Sequence, residues 1–344
     1  MPATKGITHE EAYAAYQSEG TYAGAARLLG VDKGTIQWHV KRRVQDRDYE
    51  VPELPSPDIS AQELWERCKG DYERTDTAYS ARKLIPVNVK LDGPIGILHF
   101  GDPHTDGDTD LAQLEAHAAI VRNTEGMFAG NIGDQQNNWV GRLQRLYGEQ
   151  TVTAKQAWML TEHFLNLVQD WLYVVGGNHD AFVGPNDPLK WILRPNVGPF
   201  EYHGCRMGLN FPNGREVRIN ARHDFKGHSQ WNIVHGPAKA AMMGWRDHIL
   251  ICGHKHTTGY QIIKDPATGL ISHAVRVATY KIHDEHARAE GFPDHNISPC
   301  AVTIIDPYAE LERNLVQVFF DPEVGADWLK WRRKKFQQNK RAAA

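Results

Sequence analysis

Short apolar runs alternate with longer amphipathic stretches along most of the chain, from about residue 94 onward. Runs of this kind are typical of buried strands, and the stretches between them have helical spacing, so the pattern predicts an α/β core. The predicted strands are Ile95–Phe100, Met127–Ile132, Trp171–Val175, Val217–Asn220, His248–Cys252, Tyr260–Ile263, Ile271–Ala278, Ala301–Ile305 and Val316–Phe319. The predicted helices between them are Asp110–Thr124, Val152–Asp170 and Pro237–Met243.

A different pattern occupies the N-terminus, where three short helical segments cover Thr8–Glu19, Tyr22–Leu29 and Lys33–Arg43. Gly20 and Gly30 separate them, which is typical of a helix-turn-helix module. The third helix and its continuation are basic, and this favours DNA binding, although protein binding or dimerisation also fits a module of this size. The candidate DNA-contacting residues are Lys33, Thr35, Gln37, His39, Lys41, Arg42 and Arg43.

Three prolines within residues 51–58 predict an extended spacer between domains. The expected organisation is a helix-turn-helix domain over residues 1–50, a Pro-rich linker with a connecting helix over 51–90, an α/β domain over 91–322 and a basic amphipathic tail over 323–344. The tail alternates aromatic and basic residues. It fits either a phosphate-contacting surface or an amphipathic helix packed on the body.

Composition narrows the protein class. Hydrophobic residues make up 41% of the 344 residues, as in globular proteins, and the net charge of −3 points to no partner. No apolar run approaches the roughly 18 residues of a membrane helix, and the N-terminus lacks an apolar signal segment, so we expect a cytoplasmic protein without a membrane partner. The four cysteines lie far apart, which argues against disulfides and a thiolate zinc site.

Polar clusters follow five of the predicted strands, where active sites of α/β sheets form. The chain also holds 18 histidines, which points to imidazole and carboxylate ligands for metals. The clusters are Gly101-Asp102-Pro103-His104, Gly133-Asp134, Gly176-Gly177-Asn178-His179-Asp180, His223-Asp224 and Gly253-His254-Lys255-His256. In this order they resemble the motifs of the calcineurin-like metallophosphoesterase superfamily, and the resemblance spans about Ile95 to His256.

The resemblance implies a four-layer α/β sandwich, with two mixed sheets flanked by helices, and a site for two divalent metal ions. Manganese is the favoured ion, with magnesium, iron and zinc as alternatives. By resemblance Asp134 bridges the two ions. The first ion takes Asp102, His104 and His256, and the second takes Asn178, His223 and His254. His223 is preferred over His235 because it directly ends an alternating strand pattern, but His235 stays open as the fourth-motif ligand.

The resemblance also implies roles in catalysis. A hydroxide between the two metals attacks phosphorus, and His179 is the general acid that protonates the leaving oxygen. Asp180 is expected to orient the His179 imidazole and keep it cationic.

The favoured function is a metal-dependent phosphodiesterase that hydrolyses DNA, a nuclease of bacterial or bacteriophage origin. Phosphoprotein phosphatases typically carry Asp-Arg-Gly after the second motif, where this chain has residues 135–138 as Gln-Gln-Asn-Asn. The motifs are closer to those of the superfamily's DNA exonucleases. Two alternatives stay open: a phosphatase or nucleotide hydrolase that the helix-turn-helix only localises or dimerises, and a DNA-binding regulator with an inactive metal site. DNA is the expected partner, a homodimer fits the module, and an ATPase partner cannot be inferred.

Overall fold

The computed structural model describes residues 6–43, 57–139, 147–148, 150–168, 170–181, 187–193, 197–282 and 296–343. The chain divides into two compact units, Met1–Tyr72 and Glu73–Ala344. The helices are α1 His9–Glu19, α2 Tyr22–Leu29, α3 Lys33–Arg43, α4 Ala61–Arg82, α5 Leu111–Asn123, α6 Ala154–Leu167, α7 Pro188–Ile192, α8 His235–Met243 and α9 Pro322–Ala343. The strands are β1 Ile85–Asn88, β2 Ile95–Phe100, β3 Met127–Asn131, β4 Trp171–Gly176, β5 Phe200–Tyr202, β6 Gly204–Asn210, β7 Glu216–Arg222, β8 Ile249–Cys252, β9 Gly259–Lys264, β10 Ile271–Arg276, β11 Cys300–Ile305 and β12 Val316–Phe319.

The N-terminal unit contains three helices with clear start and stop signals. Thr8 forms a capping box with Glu11 at the start of α1, and Thr21 caps α2. Both helices end on a glycine in the left-handed conformation, Gly20 at φ 64° and Gly30 at φ 67°. The helices enclose a small core of Ala12, Ala15, Ala25, Ala26, Ile36 and Val40. The three predicted helices are present, and their interpretation as a DNA-binding helix-turn-helix stays a prediction.

The larger unit is built on two six-stranded sheets. One has the order β1-β6-β7-β8-β10-β9, and the other has the order β12-β11-β2-β3-β4-β5. Both sheets mix parallel and antiparallel neighbours. In the second sheet β2, β3 and β4 run parallel and β11 runs antiparallel to β2, and in the first sheet β6 is parallel to β1 and antiparallel to β7. The prediction of an α/β sandwich with two mixed sheets is therefore confirmed.

The two sheets pack face to face, and helices cover their outer faces. On β2, Ile95 and Ile97 point into the core shared with the other sheet, whereas Leu98 and Phe100 point to the helical side. This separation follows from the alternation of side chains along a strand that is buried on both faces. Helices α5, α6 and α9 cover one sheet, and α8 packs on β8, β9 and β10 of the other.

Several elements of the larger unit differ from the expected boundaries. Strand β1 pairs in parallel with β6, so the sheets begin inside the segment 51–90 that was predicted to be a linker. Helix α4 continues across the division between the two units. The prolines at positions 52 and 55 lie outside the described residues, and the predicted spacer there stays a prediction. Strands β5 and β6 and the short α7 were not predicted.

The C-terminal segment forms α9, which packs on the body through Ala326 and Leu329. Three of its basic residues pair with the body. Arg333 is buried and donates to the carbonyl of Pro94 at 2.8 Å, Arg332 pairs with Asp306, and Lys340 pairs with Asp92 at 2.7 Å. The tail thus forms the packed amphipathic helix, and a phosphate-contacting surface on its exposed side stays a prediction.

Among the described residues, no helix combines the length and the apolar character needed to cross a membrane. All four cysteines are free thiols, with Cys68 exposed and Cys205, Cys252 and Cys300 buried.

Three buried histidines make the fold sensitive to acid. Burial lowers the pKa of His99 to about 3 and those of His117 and His273 to about 4. At His117 the charges of Asp110 and Asp321 oppose this effect without cancelling it. In the unfolded chain these side chains take up protons near their usual pKa, so between about pH 6.5 and pH 4 the unfolded state binds more protons than the folded state.

We therefore expect the free energy of unfolding to fall as the pH is lowered from about 7 to about 5.5, measured as the urea midpoint. His99 bonds Tyr173 at 2.6 Å and Thr303 at 2.8 Å, and His99→Gln removes its titration while keeping a polar side chain there. This variant should show a shallower pH dependence, whereas His228→Gln, at an exposed position, should match the wild type. Equal midpoints at both pH values in the wild type would contradict this account.

Candidate metal centre

The centre is built around Asp134, which follows β3 in a tight turn. Gly133 has φ 108°, and a Cβ there would lie 2.6 Å from the backbone nitrogen of Gly177, so only glycine fits. The turn buries the Asp134 side chain almost completely. Its Oδ1 accepts a hydrogen bond of 2.9 Å from the His179 backbone, which ties the loop after β3 to the loop after β4.

The first cluster of candidate ligands contains Asp102, His104 and His256. Asp102 Oδ2 lies 3.4 Å from His256 Nε2, and His104 Nε2 lies 3.2 Å from the same nitrogen. The backbone N–H of His254 donates to Asp102 Oδ2 at 2.8 Å, which fixes the carboxylate against the loop after β8. The structure thus brings together the three residues expected at the first metal.

The second cluster contains Asp134, His223 and His254. His223 Nε2 lies 3.1 Å from Asp134 Oδ2, 3.0 Å from His254 Nδ1 and 2.8 Å from Asn178 Oδ1. The other ring nitrogen, Nδ1, lies 3.0 Å from the carbonyl of Ile132. When Nδ1–H donates a hydrogen bond to this carbonyl, Nε2 is unprotonated and free to bind a metal. Metal-binding histidines are commonly oriented by a hydrogen bond of this kind.

The structure places the two candidates for the fourth motif, His223 and His235, in different surroundings. His223 lies in the second cluster, whereas His235 begins α8 and belongs to none of the clusters found among the described residues. The ring of His235 instead lies beside Gly227.

A third cluster joins the other two. His104 Nε2 and His179 Nε2 lie 3.8 Å and 4.0 Å from Asp134 Oδ2, which is also the oxygen that faces His223. Asp134 therefore belongs to both the second and the third cluster, and His104 to both the first and the third. Asp134 Oδ2 thus faces a candidate ligand of the first cluster, His104, and one of the second, His223.

The donor set fits divalent cations. It combines carboxylate and amide oxygens with imidazole nitrogens, a mixture suited to manganese, iron or zinc. Asp102 Oδ1 is buried and has no hydrogen-bond partner among the described residues. A buried carboxylate oxygen without a partner is costly in a protein interior, and a cation at this position would satisfy it.

The electrostatics of the centre are dominated by the buried carboxylate. Burial alone would raise the pKa of Asp134, but the charges of His223, His179 and His104 bring it well below the usual value. Burial likewise opposes protonation of His223, yet the Asp134 carboxylate raises the pKa of this imidazole to about 10. Positive charge is therefore strongly favoured beside Asp134 Oδ2.

The loops that carry the ligands are strained. His104, Asp134, His254 and His256 all have positive φ angles, between 45° and 67°. Each such residue costs about 1–3 kcal/mol, and strain of this kind persists only where surrounding contacts fix the backbone. The hydrogen bonds from His179 N to Asp134 and from His254 N to Asp102 are contacts of this kind.

The expected role of Asp180 is not what the structure shows. Its carboxylate accepts from the backbone of Gly177 and of Gln135, both at 2.9 Å, and is fully buried away from solvent. Burial and the charge of Asp134 raise its pKa, and the two N–H donors oppose that rise. Asp180 thus joins two ligand loops, and the His179 ring nitrogen Nδ1 contacts the carbonyl of Asn137 instead.

The polar run after Asp134 supports this histidine. Asn138 donates from its side chain to the His179 carbonyl at 2.6 Å, and Asn137 donates to Asp106 at 2.8 Å. Asp106 also accepts from Thr151, so its carboxylate joins Asn137 to the residue that precedes α6 by three positions. Asp106 was not among the predicted site residues, and the signal that could have found it was the density of amide side chains over residues 135–138.

The candidate DNA-contacting residues of α3 are not equally accessible. Lys33, Lys41 and Arg42 are exposed, whereas Thr35, Gln37 and His39 are half-buried. The Thr35 hydroxyl bonds Asp32, and the His39 ring lies against His9, with 2.9 Å between their Nδ1 atoms. The Arg43 side chain lies outside the described part of the chain, and its DNA contact stays a prediction.

Trp38 was missed among these candidates. Its side chain is 52% exposed, and the guanidinium of Arg42 lies 4.9 Å from its ring centroid. Exposed aromatic rings beside basic residues can stack on nucleic-acid bases, and such a role for Trp38 is a prediction.

Comparison with known proteins gives matches among solved structures. No family model matches the chain, and no curated protein matches it. Among solved structures, the NAD nucleotidase NadN of Haemophilus influenzae matches with a TM-score of 0.35 and 10% sequence identity. The match covers 66% of this chain and 49% of NadN, so the chain spans about half of that protein. The interpretation of the centre therefore depends on its own geometry.

Replacing Asp134 tests the centre directly. Loss of a supporting contact to a metal ligand typically costs about 10–100-fold in affinity, and Asp134→Asn removes charge from the shared ligand itself, so we expect metal affinity to fall by more than about 100-fold. Elemental analysis after gel filtration in manganese should show loss of bound metal. Asp110→Asn makes the same change at the N-cap of α5 and should keep wild-type metal content. Retention of metal by Asp134→Asn would contradict the shared position.

Proposed function

We propose that this chain is a phosphoesterase that depends on two divalent cations and hydrolyses phosphodiesters, with DNA as its substrate. The observation that carries the proposal is that one oxygen, Asp134 Oδ2, lies 3.8 Å from His104 Nε2 of the first cluster and 3.1 Å from His223 Nε2 of the second. Sites with two adjacent cations recur in enzymes that cleave phosphate esters, because phosphoryl transfer develops charge on several oxygens at once.

The candidate ligands divide between two ions on the geometry above. Asp102, His104 and His256 would hold the first, Asn178, His223 and His254 the second, and Asp134 both. When bound, such cations polarise the phosphoryl oxygens and lower the pKa of a coordinated water.

His179 is the proton donor in this proposal. Its Nδ1 is held by the Asn137 carbonyl, so the ring presents Nε2 toward the cluster, 4.0 Å from Asp134 Oδ2. The ring also stands edge-on to Trp139, with 5.3 Å between their centroids. A protonated imidazole fixed in this way can donate its Nε2 proton to the oxygen of the departing alcohol. Its Nδ1–H meanwhile remains hydrogen-bonded to the Asn137 carbonyl.

DNA is preferred over a small ester because of the N-terminal unit. Lys33, Lys41 and Arg42 are exposed on α3, and Trp38 is exposed between them. A basic helix attached to a hydrolytic unit raises the local concentration of a polyanionic substrate. A phosphatase or nucleotide hydrolase would not need such a helix for turnover.

His179→Ala should lower turnover on DNA by about 10²–10⁴-fold, because the departing alkoxide then lacks a proton donor. The loss should be smaller on bis-(para-nitrophenyl) phosphate, whose leaving group needs little protonation. His228→Ala, an exposed histidine outside the ligand clusters, is the matched control. Bound manganese should be unchanged in both variants. Equal losses on the two substrates would argue against a general acid at this position.

Lys41→Ala/Arg42→Ala should weaken binding of double-stranded DNA and reduce the slope of log K against log salt by about 2, if both side chains contact phosphates. Hydrolysis of bis-(para-nitrophenyl) phosphate should stay at the wild-type rate. The control Arg67→Ala/Lys69→Ala removes the same charge from α4. Unchanged DNA affinity and salt slope in the α3 variant would exclude this surface.

The choice between nuclease and small-ester hydrolase depends on substrate. End-labelled single- and double-stranded DNA should be cleaved with added manganese. Turnover of small esters with DNA left intact would favour the phosphatase or nucleotide hydrolase and would leave the helices of the N-terminal unit with a role in localisation.

A further inference from the structure

Arg276 at the end of β10 is an unusual buried charge. It is the largest side chain among those that are fully buried in the described part of the chain, and it lies in the sheet that carries the loops after β7 and β8. A guanidinium in a protein interior is tolerated only when its donors are paired. Its partners therefore indicate what this charge holds in place.

Three partners surround the guanidinium, each on a different segment. Nε donates to the carbonyl of Ile233 at 3.1 Å, Nη1 to the carbonyl of Gly253 at 2.5 Å and Nη2 to Asp224 Oδ1 at 3.0 Å. Asp224 directly follows His223, and Gly253 directly precedes His254. The same side chain thus binds the immediate chain neighbours of two ligands of the second cluster.

These two segments also contact each other. The backbone N–H of Gly253 donates to the carbonyl of His223 at 3.1 Å. Lys255 lies near the open side of Asp224, with 4.0 Å between Nζ and Oδ2, and donates to the Gly227 carbonyl at 3.2 Å. Arg276 is therefore the buried centre of a network that fixes how His223 and His254 approach each other.

The first cluster depends less on this network. Asp102 and His104 follow β2 in the opposite sheet, and their backbones bond Asp134, Thr109 and Thr279. Across to the loop that Arg276 holds, Asp102 Oδ2 accepts a hydrogen bond from the His254 backbone. Of the first cluster, His256 alone shares the loop that Arg276 holds. A change at Arg276 should consequently act on one cluster more than on the other.

We propose that Arg276 is a positioning residue for the second metal site, where it sets the separation of His223 and His254. This inference rests on the metal centre of the proposed function. The planar guanidinium reaches three acceptors in fixed directions, and a lysine ammonium keeps the charge beside Asp224 without that fork. Arg276→Lys should therefore misplace the ligands while keeping the ion pair.

The test is a calorimetric titration of full-length Arg276→Lys with manganese. His254→Ala and His256→Ala, each removing a ligand of one cluster, identify the two binding steps. The binding step that is missing in His254→Ala belongs to the second cluster. We expect the manganese affinity of this step to be about 10–100-fold lower in Arg276→Lys than in the wild type, the range for contacts that orient metal ligands. The step lost in His256→Ala should change by much less than that.

Arg206→Lys is the matched control, because Arg206 forms a pair with the buried Asp247 in the same unit, with bonds of 2.8 Å and 2.7 Å, away from the ligands. It should lower the thermal midpoint while leaving both steps unchanged. If Arg276→Lys does not fold, Asp224→Asn is the second variant. It weakens the same network at a half-buried position and should lower the affinity of the same second-cluster binding step.

Equal weakening of both steps, or of neither, would overturn the positioning role and leave the metal centre intact. Absence of manganese binding in the wild type would overturn the metal centre and this inference with it. If Arg206→Lys weakened the second-cluster binding step as much as Arg276→Lys does, the effect of Arg276 would be general stabilisation of the fold and not positioning of ligands.

Discussion

A buried carboxylate, that of Asp134, is the constraint on which the rest of the centre depends. Burial makes its negative charge costly unless positive charge or N–H groups surround it. The structure supplies one backbone donor, from His179, and three imidazoles, from His104, His179 and His223, within 4.0 Å of one oxygen. A divalent cation would compensate the buried negative charge more strongly than imidazoles do, and the arrangement is therefore interpreted as a metal centre.

The sandwich is what brings these groups together. Asp134 and its neighbours follow β2, β3 and β4 in one sheet, and His223, His254 and His256 follow β7 and β8 in the other. Because the sheets pack face to face, their strand ends meet along one edge. The first and second clusters therefore each take ligands from both sheets, and they can form only when the sheets are correctly packed.

Much of this could be predicted from the sequence. All five strands that carry ligands were found. Four of them are short apolar runs followed by glycine or a polar cluster, because strands buried on both faces have few polar residues, and β7 has an alternating pattern that ends at His223. Strands β1 and β6 were missed for a physical reason. Pro86 interrupts the first, and Gly204, Arg206 and Gly208 break the apolar pattern of the second.

Contacts between distant segments could not be predicted. Asp180 stands next to His179 in the chain, yet it bonds the backbone of other loops, since side-chain direction depends on turns that the sequence does not define. Arg276 stands alone in an apolar strand, and nothing near it in the sequence indicates that Asp224 and Gly253 are its partners.

The most direct measurement for the central claim is an electron paramagnetic resonance titration of the wild-type protein with manganese. Two ions sharing the Asp134 carboxylate should give the multiline spectrum of an exchange-coupled pair at two equivalents. A single bound ion, or two ions with the spectrum of isolated manganese, would contradict a shared dinuclear centre.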